Sequence, residues 1–233
     1  MADAATQALL EPFSNPDAVA RYAEGPRRFV PGFDSLHRMT GILLAERTPA
    51  DARVLVVGAG GGLELKALAE TSPSWTFVGV DPAAEMLKLA ERTLGPASFA
   101  RVQLHHGYID DAPEGPFDAA TCLLTLHFLD AAARLSTVKE IRRRLKPGAP
   151  FVAVHSSFPQ GKESRAVWLS RYAAYAVASG ADPDKVTSMK AAVEAHLALL
   201  SPEEDVAILR EAGFVNVEMF YAAFTWRGWV AYA

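Results

Sequence analysis

Between residues 53 and 156 the chain alternates two kinds of apolar pattern. Short runs such as "RVLVVG" and "WTFVGVD" are apolar at nearly every position, which predicts strands buried on both faces. The stretches that follow them, "LELKALAET" and "AAEMLKLAERTLG", place apolar residues every three or four positions instead. Leu65, Leu68 and Ala69 therefore share one helical face, and Gly95 is expected to close the second helix. "RVQLHHG" reads as a third, weaker strand and "FDAATCLL" as a fourth. A helix around "DAAARLSTVKEIRRRLKPG" carries the ladder Leu135, Val138, Ile141 and Leu145 until Pro147-Gly148 stops it. "PFVAVHSS" is a fifth strand.

The flanks follow other rhythms. Residues 17 to 47 read as two helices interrupted by "GPRRFVPGF", where Gly25, Pro26, Pro31 and Gly32 forbid a continuous helix. Residues 160 to 200 form a long helical insertion broken at "SGADPD". "SPEEDVAILREAGF" opens on a capping-box spacing, Ser201 to Glu204, with Pro202 at the first helical position. "NVEMFYAAF" and "WRGWVAYA" are joined too tightly for a helical crossover, so they must pair antiparallel. Together these elements predict an α/β fold: a doubly wound, mostly parallel, seven-stranded Rossmann-like sheet with a C-terminal antiparallel hairpin.

A chain of 233 residues, half of them hydrophobic, accommodates one sizeable domain of this kind. The net charge of −4 gives no global drive toward nucleic acid or an anionic membrane. Cys122 is the sole cysteine, which excludes disulfides within the chain and a thiolate zinc cluster. The opening "MADAATQALLEPFSNPD" lacks a basic segment and a long apolar core, and no stretch has the length of a membrane helix. A cytoplasmic protein is the expectation.

Candidate chemistry centres on "VLVVGAGGGLELKAL", residues 54 to 68. A buried strand that ends on glycines and opens a helix lets a ligand approach bare backbone, and in such sheets ligands bind beyond the C-terminal strand ends. Gly58, Ala59, Gly60, Gly61 and Gly62 form that turn, but a dinucleotide fingerprint would need its last glycine where Leu63 stands. Glu64, in the first helical turn, would also repel a pyrophosphate on the same N–H groups. Asp81 ends the second strand about twenty residues on, the place for a carboxylate that accepts from a ribose diol. An adenosyl site without a pyrophosphate fits this combination better than a bare turn and a helix cap.

On these residues the sequence resembles a class I S-adenosylmethionine-dependent methyltransferase over residues 20 to 233. Motif I is "VLVVGAGGG", the ribose acid is Asp81 in "FVGVD", and "RRRLKPGAPFVAVH" is similar to the helix-to-fifth-strand signature. The resemblance implies an N-terminal helical lid over residues 1–50 and a cofactor-binding domain over 51–233 that carries the insertion 160–200. It further implies S-adenosylmethionine as cofactor, S-adenosylhomocysteine as product, and Gly58, Ala59, Gly60, Gly62, Asp81, Pro82, Ile109, Leu123 and Arg28 as cofactor contacts. The pattern is closest to the carboxy-S-adenosylmethionine synthase branch, whose reaction serves tRNA wobble-uridine modification. That branch holds its extra carboxylate with a tyrosine, an asparagine and an arginine; Phe33, Leu123 and Lys190 stand there. Methyl donation to an unidentified small molecule is therefore preferred over the synthase reaction. The chain departs from the superfamily in two further places. Val56 replaces the usual first-strand acid that helps hold the cofactor's amino group, and Gly107-Tyr108 replaces Gly-Asp. Those losses also leave room for a non-catalytic adenosyl-binding protein.

Methyl transfer needs positioning and desolvation, plus a base only where the acceptor must lose a proton. His127, after the fourth strand, and His155, at the end of the fifth, are the candidate bases. His105 and His106 lack companions for a metal site, so no metal is expected. Trp168 and Tyr172, with Tyr175, recur at nearly helical spacing in the insertion and are candidates, with Lys190, for contacting a small-molecule acceptor. Tyr22, Arg27, Arg28 and Phe33 would close over the cofactor. "IRRRLK" is a basic helix end rather than a nucleic-acid patch, so nucleic acid is not an expected partner. A homodimer is compatible with the sequence.

Overall fold

The computed structural model describes residues 13–15, 19 and 22–233 of the chain. Among these, two N-terminal helices, α1 (Gly25–Phe29) and α2 (Phe33–Ala45), precede an alternating series. It runs β1 (Arg53–Val57), α3 (Leu63–Thr71), β2 (Thr76–Asp81), α4 (Ala84–Phe99), β3 (Val102–His106), β4 (Ala119–Leu123), α5 (Ala131–Arg143) and β5 (Pro150–Ser156). The insertion supplies α6 (Lys162–Ala178) and α7 (Pro183–His196); α8 (Pro202–Glu211) then leads to β6 (Val215–Ala223) and β7 (Trp226–Tyr232).

The seven strands lie in the order β3-β2-β1-β4-β5-β7-β6. Parallel pairing joins the first five, and β7 runs antiparallel to both β5 and β6. The continuous apolar runs have a direct cause. Val54 and Val56 of β1 enter one core with Leu36, Leu65 and Leu87, while Leu55 and Val57 enter the other with Val138, Ile141 and Leu209. Alternate side chains of a strand point to opposite faces, so a strand covered on both sides has no polar position to spare.

Three local expectations change. Gly25-Pro26 starts a helix rather than breaking one, because Pro26 occupies the first turn of α1, where its missing N–H is not needed. The other predicted N-terminal helix falls largely outside the described residues, which show a 3₁₀ turn at Tyr22–Glu24. Gly95 does leave helical geometry (φ 66°, ψ 169°), yet the chain resumes a helical turn beyond it, so α4 reaches Phe99 across a kink. Leu145 lies past the end of α5 but is still buried.

Side-chain caps start the helices after the insertion's break and before the hairpin. Asp182 accepts from the N–H groups of Asp184 (2.9 Å) and Lys185 (3.1 Å), which starts α7 after the break. Ser201 and Glu204 bond reciprocally at the head of α8. The N-terminal segment is tied to the hairpin by Tyr221 Oη–H donating to the Pro31 carbonyl (2.6 Å) and Trp226 Nε1–H to that of Phe29 (2.9 Å). Behind β5, Arg134 of α5 meets Asp205 of α8 at 2.5 Å, with His155 Nε2 3.1 Å from the same carboxylate oxygen. Among the described residues, no helix is long and apolar enough to cross a membrane.

Candidate functional site

The turn after β1 is held from two sides. The N–H groups of Gly58 and Ala59 donate to the Val80 carbonyl (2.8 and 3.0 Å). Gly60 N–H donates to Asp81 Oδ2 (2.8 Å), and Ala83 N–H to Asp81 Oδ1 (2.8 Å). Asp81 thus pins the turn and caps the approach to α4 with the same carboxylate, and each oxygen keeps acceptor capacity for a ligand. Burial raises its pKa, while the Ala83 and Gly60 N–H bonds and nearby His106 oppose the rise.

The glycines serve different ends. A Cβ on Gly58 would lie 2.1 Å from Thr125 Oγ1, and one on Gly62 would lie 2.8 Å from the Ala90 backbone. Both are closed by the protein's own packing. Gly60 also has a left-handed backbone (φ 50°), but a Cβ there would meet nothing nearer than Met86 Cε at 3.5 Å and Tyr22 Oη at 3.6 Å. Of these three, only Gly60 has open space where a Cβ would stand, and it lines the cavity. Gly62→Ala is therefore expected to cost about 1–3 kcal/mol of stability through overpacking of α3 on α4, read as a lower melting temperature without ligand. An unchanged melting temperature would show that the two helices are not in contact there.

Beyond these strand ends lies a cavity of about 740 Å³. Its floor is the glycine turn with Asp81, Pro82 and Ala83. One wall is Tyr108–Asp111, another is Leu123–Thr125 with Phe128 and Leu129, and Phe13, Tyr22, Phe33 and His37 contribute from the N-terminal side. Leu124 adopts a left-handed backbone (φ 57°) at the tip of β4. That strain sits at the cavity rim, as is common at functional sites, and is fixed by Leu124 N–H donating to the Val154 carbonyl (2.5 Å).

Charge in the cavity is one-sided. Glu64, Asp81, Asp110, Asp111 and Asp130 line it, and among the described residues no lysine or arginine does. Burial pushes the Glu64 carboxyl up to about 7, with Thr121 as the counterweight, and the Tyr22 phenol up to about 12, helped by Asp81 and Glu64. Burial moves His37 down to about 4, so its imidazole is neutral near pH 7.

Residues 54–148 match a protein family described as a methyltransferase domain. The chain is 25% identical over 217 residues to the carboxy-S-adenosyl-L-methionine synthase of Chromohalobacter salexigens, covering 92% of this chain and 80% of that protein. Among solved structures it is similar to human N-acetylserotonin methyltransferase in complex with SAM (TM-score 0.63, 13% identity). That match covers 96% of this chain but 58% of the human chain. It is also similar to PigF with SAH (TM-score 0.67, 19% identity), with 97% and 62% of the two chains covered. Over residues 54–148 the chain carries a methyltransferase domain, and its fold is that of methyltransferases solved with SAM or SAH.

On this methyltransferase fold the sequence-predicted positions divide into two groups. Gly58, Ala59, Gly60, Asp81, Pro82, Ile109 and Leu123 line the one cavity. Gly62 stands behind the turn against Ala90. Arg28 is outside, paired with Glu24 at 3.0 Å, and Arg27 pairs with Asp34 at 3.0 Å, so of the four lid candidates only Tyr22 and Phe33 reach the cavity.

The residues expected to do chemistry or meet an acceptor lie elsewhere. His127 is buried against Phe128 and Trp226 and does not line the cavity. After left-handed Leu124 a 3₁₀ turn, Leu126–Phe128, gives the wall to Phe128 and turns His127 away. Burial, then His155 and Arg134, holds its pKa well below the usual imidazole range. His155 packs on Trp229 beside Asp205, also outside the cavity. Trp168 is covered by the guanidinium groups of Arg171 and Arg227. Tyr172 packs on Phe29 and Trp226, with its hydroxyl donating to Met189 Sδ at 3.8 Å. Lys190, on α7, is half-buried and likewise absent from the lining.

Glu64 and His37 are titratable cavity residues whose place there the sequence pattern does not disclose. An acid in a helix's first turn looks like a dipole partner in a sequence, and only the tertiary cover of α3 reveals that its carboxyl is enclosed. His37 carried no signal beyond its place on an amphipathic helix.

Proposed function

We propose that this chain transfers the methyl group of S-adenosylmethionine to a small-molecule acceptor in the cytoplasm, leaving S-adenosylhomocysteine. The observation that carries the reading is the acid-lined cavity over open backbone at Gly60. A dinucleotide's pyrophosphate would meet carboxylates there, whereas a cationic nucleoside meets charge of the opposite sign. Asp81 would accept from the ribose hydroxyls, and the Tyr108–Asp111 segment with Ile109 would border the base.

When bound, the cofactor supplies an electrophilic methyl group on a sulfonium. The protein's work is positioning and exclusion of water. Phe33, Phe128, Leu124 and Leu129 give the acceptor an apolar wall. Neutral His37 can accept a hydrogen bond from an acceptor hydroxyl or amine and orient it, although a pKa near 4 makes it a weak base.

The curated relative's name favours a second reading, production of a carboxylated cofactor. Phe33 and Leu123, which stand at two of the expected carboxylate-gripping positions, do line the cavity, but neither can hold a carboxylate, and Lys190 does not reach it. Mass analysis of co-purified ligand separates the readings. S-adenosylmethionine or S-adenosylhomocysteine, with S-adenosylhomocysteine formed on adding a methyl acceptor from a small-molecule library, supports the first. A ligand heavier by one carboxyl group supports the second.

A further inference from the structure

Within the cavity one group lacks what its chemistry requires. Glu64 is 6% exposed, and its Oε1 has no hydrogen-bond partner among the described residues. A buried carboxylate left this way carries a large desolvation cost unless something compensates it. Among the described residues only the Thr121 hydroxyl offsets that cost, and no lysine or arginine among them lines the cavity. A ligand group that donates hydrogen bonds and carries positive charge would supply the rest.

Position narrows the choice. Glu64 sits in the first turn of α3, next to Thr121 of β4, which pairs in register with Val56 of β1. Its carboxyl therefore lies over the middle of the sheet, whereas Asp81 marks the tip of β2, with the Gly60 backbone bonded to Asp81 and Tyr22 electrostatically coupled to both acids. Resting on the proposed cofactor, Asp81 takes the sugar end and Glu64 falls on the side of the amino-acid arm. The arm's sulfonium has no N–H to give, but its ammonium has three. We propose that the Glu64 carboxylate binds the α-ammonium of the cofactor's methionyl arm, so that this chain supplies from α3 the acid its first strand lacks at Val56.

Calorimetric titration of wild type and Glu64→Gln with S-adenosylmethionine and with 5′-methylthioadenosine, which has the same nucleoside and no amino-acid arm, tests this. Glutamine keeps the shape and removes the charge, so the variant should lose affinity for S-adenosylmethionine on the order of tenfold to a hundredfold. Its affinity for 5′-methylthioadenosine should change by less than about twofold. Equal loss for both ligands, or for neither, overturns the role of Glu64 while leaving the adenosyl site standing. Failure of wild type to bind either ligand overturns the adenosyl reading and this assignment with it.

A second measurement needs no variant. At pH 6.5 a carboxyl with a pKa near 7 is mostly protonated, and a free α-amine with a pKa of about 7.7–8.0 is mostly charged. Binding the ammonium to the ionised carboxylate should therefore release more than about half a proton, seen as a dependence of binding heat on buffer ionisation enthalpy. The facing titratable groups are Tyr22 on its 3₁₀ turn, raised to about 12, Cys122 on β4, raised further, and His37 on α2, lowered to about 4. Asp81 on β2 and Asp110, Asp111 and Asp130 line the same cavity, and 5′-methylthioadenosine reports the proton exchange that comes from binding the nucleoside alone. Release confined to S-adenosylmethionine supports the assignment, and equal release with 5′-methylthioadenosine overturns it.

Discussion

Asp205→Ala is expected to destabilise the fold by about 3–5 kcal/mol, the range for breaking a buried ion pair and leaving one charge unpartnered. Arg134 and Asp205 are each 1% exposed, and Arg134 keeps only the carbonyls of Leu129 (3.1 Å) and Ala198 (3.4 Å) when the carboxylate goes. His155 loses its contact from β5 at the same time. Burial alone would raise the pKa of Asp205, but His155, Arg134 and Ser157 outweigh it and hold the group below its ordinary 3.8. A depressed carboxylate contributes stability that is present above its unfolded pKa and fades as pH falls through the folded one. Denaturant unfolding should therefore show the full difference between wild type and variant at pH 7 and convergence of the two well below pH 4. A loss under about 1 kcal/mol at pH 7 would mean that water reaches the pair. The damage should extend to the site, because the Leu129 carbonyl held by Arg134 belongs to a residue of the cavity wall.

That cluster also marks the boundary of what the sequence discloses. Strands whose alternate residues enter two cores read as unbroken apolar runs, so β1, β2, β4 and β5 were legible, as was the cap at Ser201 that uses nearest-neighbour chemistry. The glycine turn and Asp81 were legible too, because strand, turn, helix and acid lie within about thirty residues and their relation is set by local geometry. What escaped depends on which side of a chain a residue ends up. His127 follows β4 as expected, but the left-handed step at Leu124 sends its ring to Trp226 and not into the cavity. His155 was sought at the site because it ends a strand, yet its partner Asp205 lies fifty residues on, in a helix packed behind the sheet. Glu64 escaped for the opposite reason. Its local role in a first helical turn was sufficient to explain it, and the burial that makes it unusual comes from distant segments.

The second large effect belongs to Asp81, and it should be distinguishable from that of Glu64. Asp81→Ala is expected to weaken binding of S-adenosylmethionine by about 1.5–3 kcal/mol, the range for hydrogen bonds to a charged group. The loss should be equal for 5′-methylthioadenosine, because the nucleoside is what the two ligands share. Two effects combine here: the variant removes the acceptor at the tip of β2 and releases Gly60 N–H and Ala83 N–H, which now hold its two oxygens at 2.8 Å each. Asp81→Asn separates them, since an amide keeps one acceptor for the turn but loses the charge and the second acceptor. Asparagine binding both ligands nearly as well as wild type would assign most of the loss to the collapsed turn; asparagine as weak as alanine would assign it to the missing carboxylate. Selective loss of S-adenosylmethionine alone in Asp81→Ala would place the sugar elsewhere and the amino-acid arm at β2, reversing the orientation of the ligand. With Glu64→Gln acting on one ligand and Asp81→Ala on both, the pair of variants fixes which end of the cavity reads which end of the cofactor.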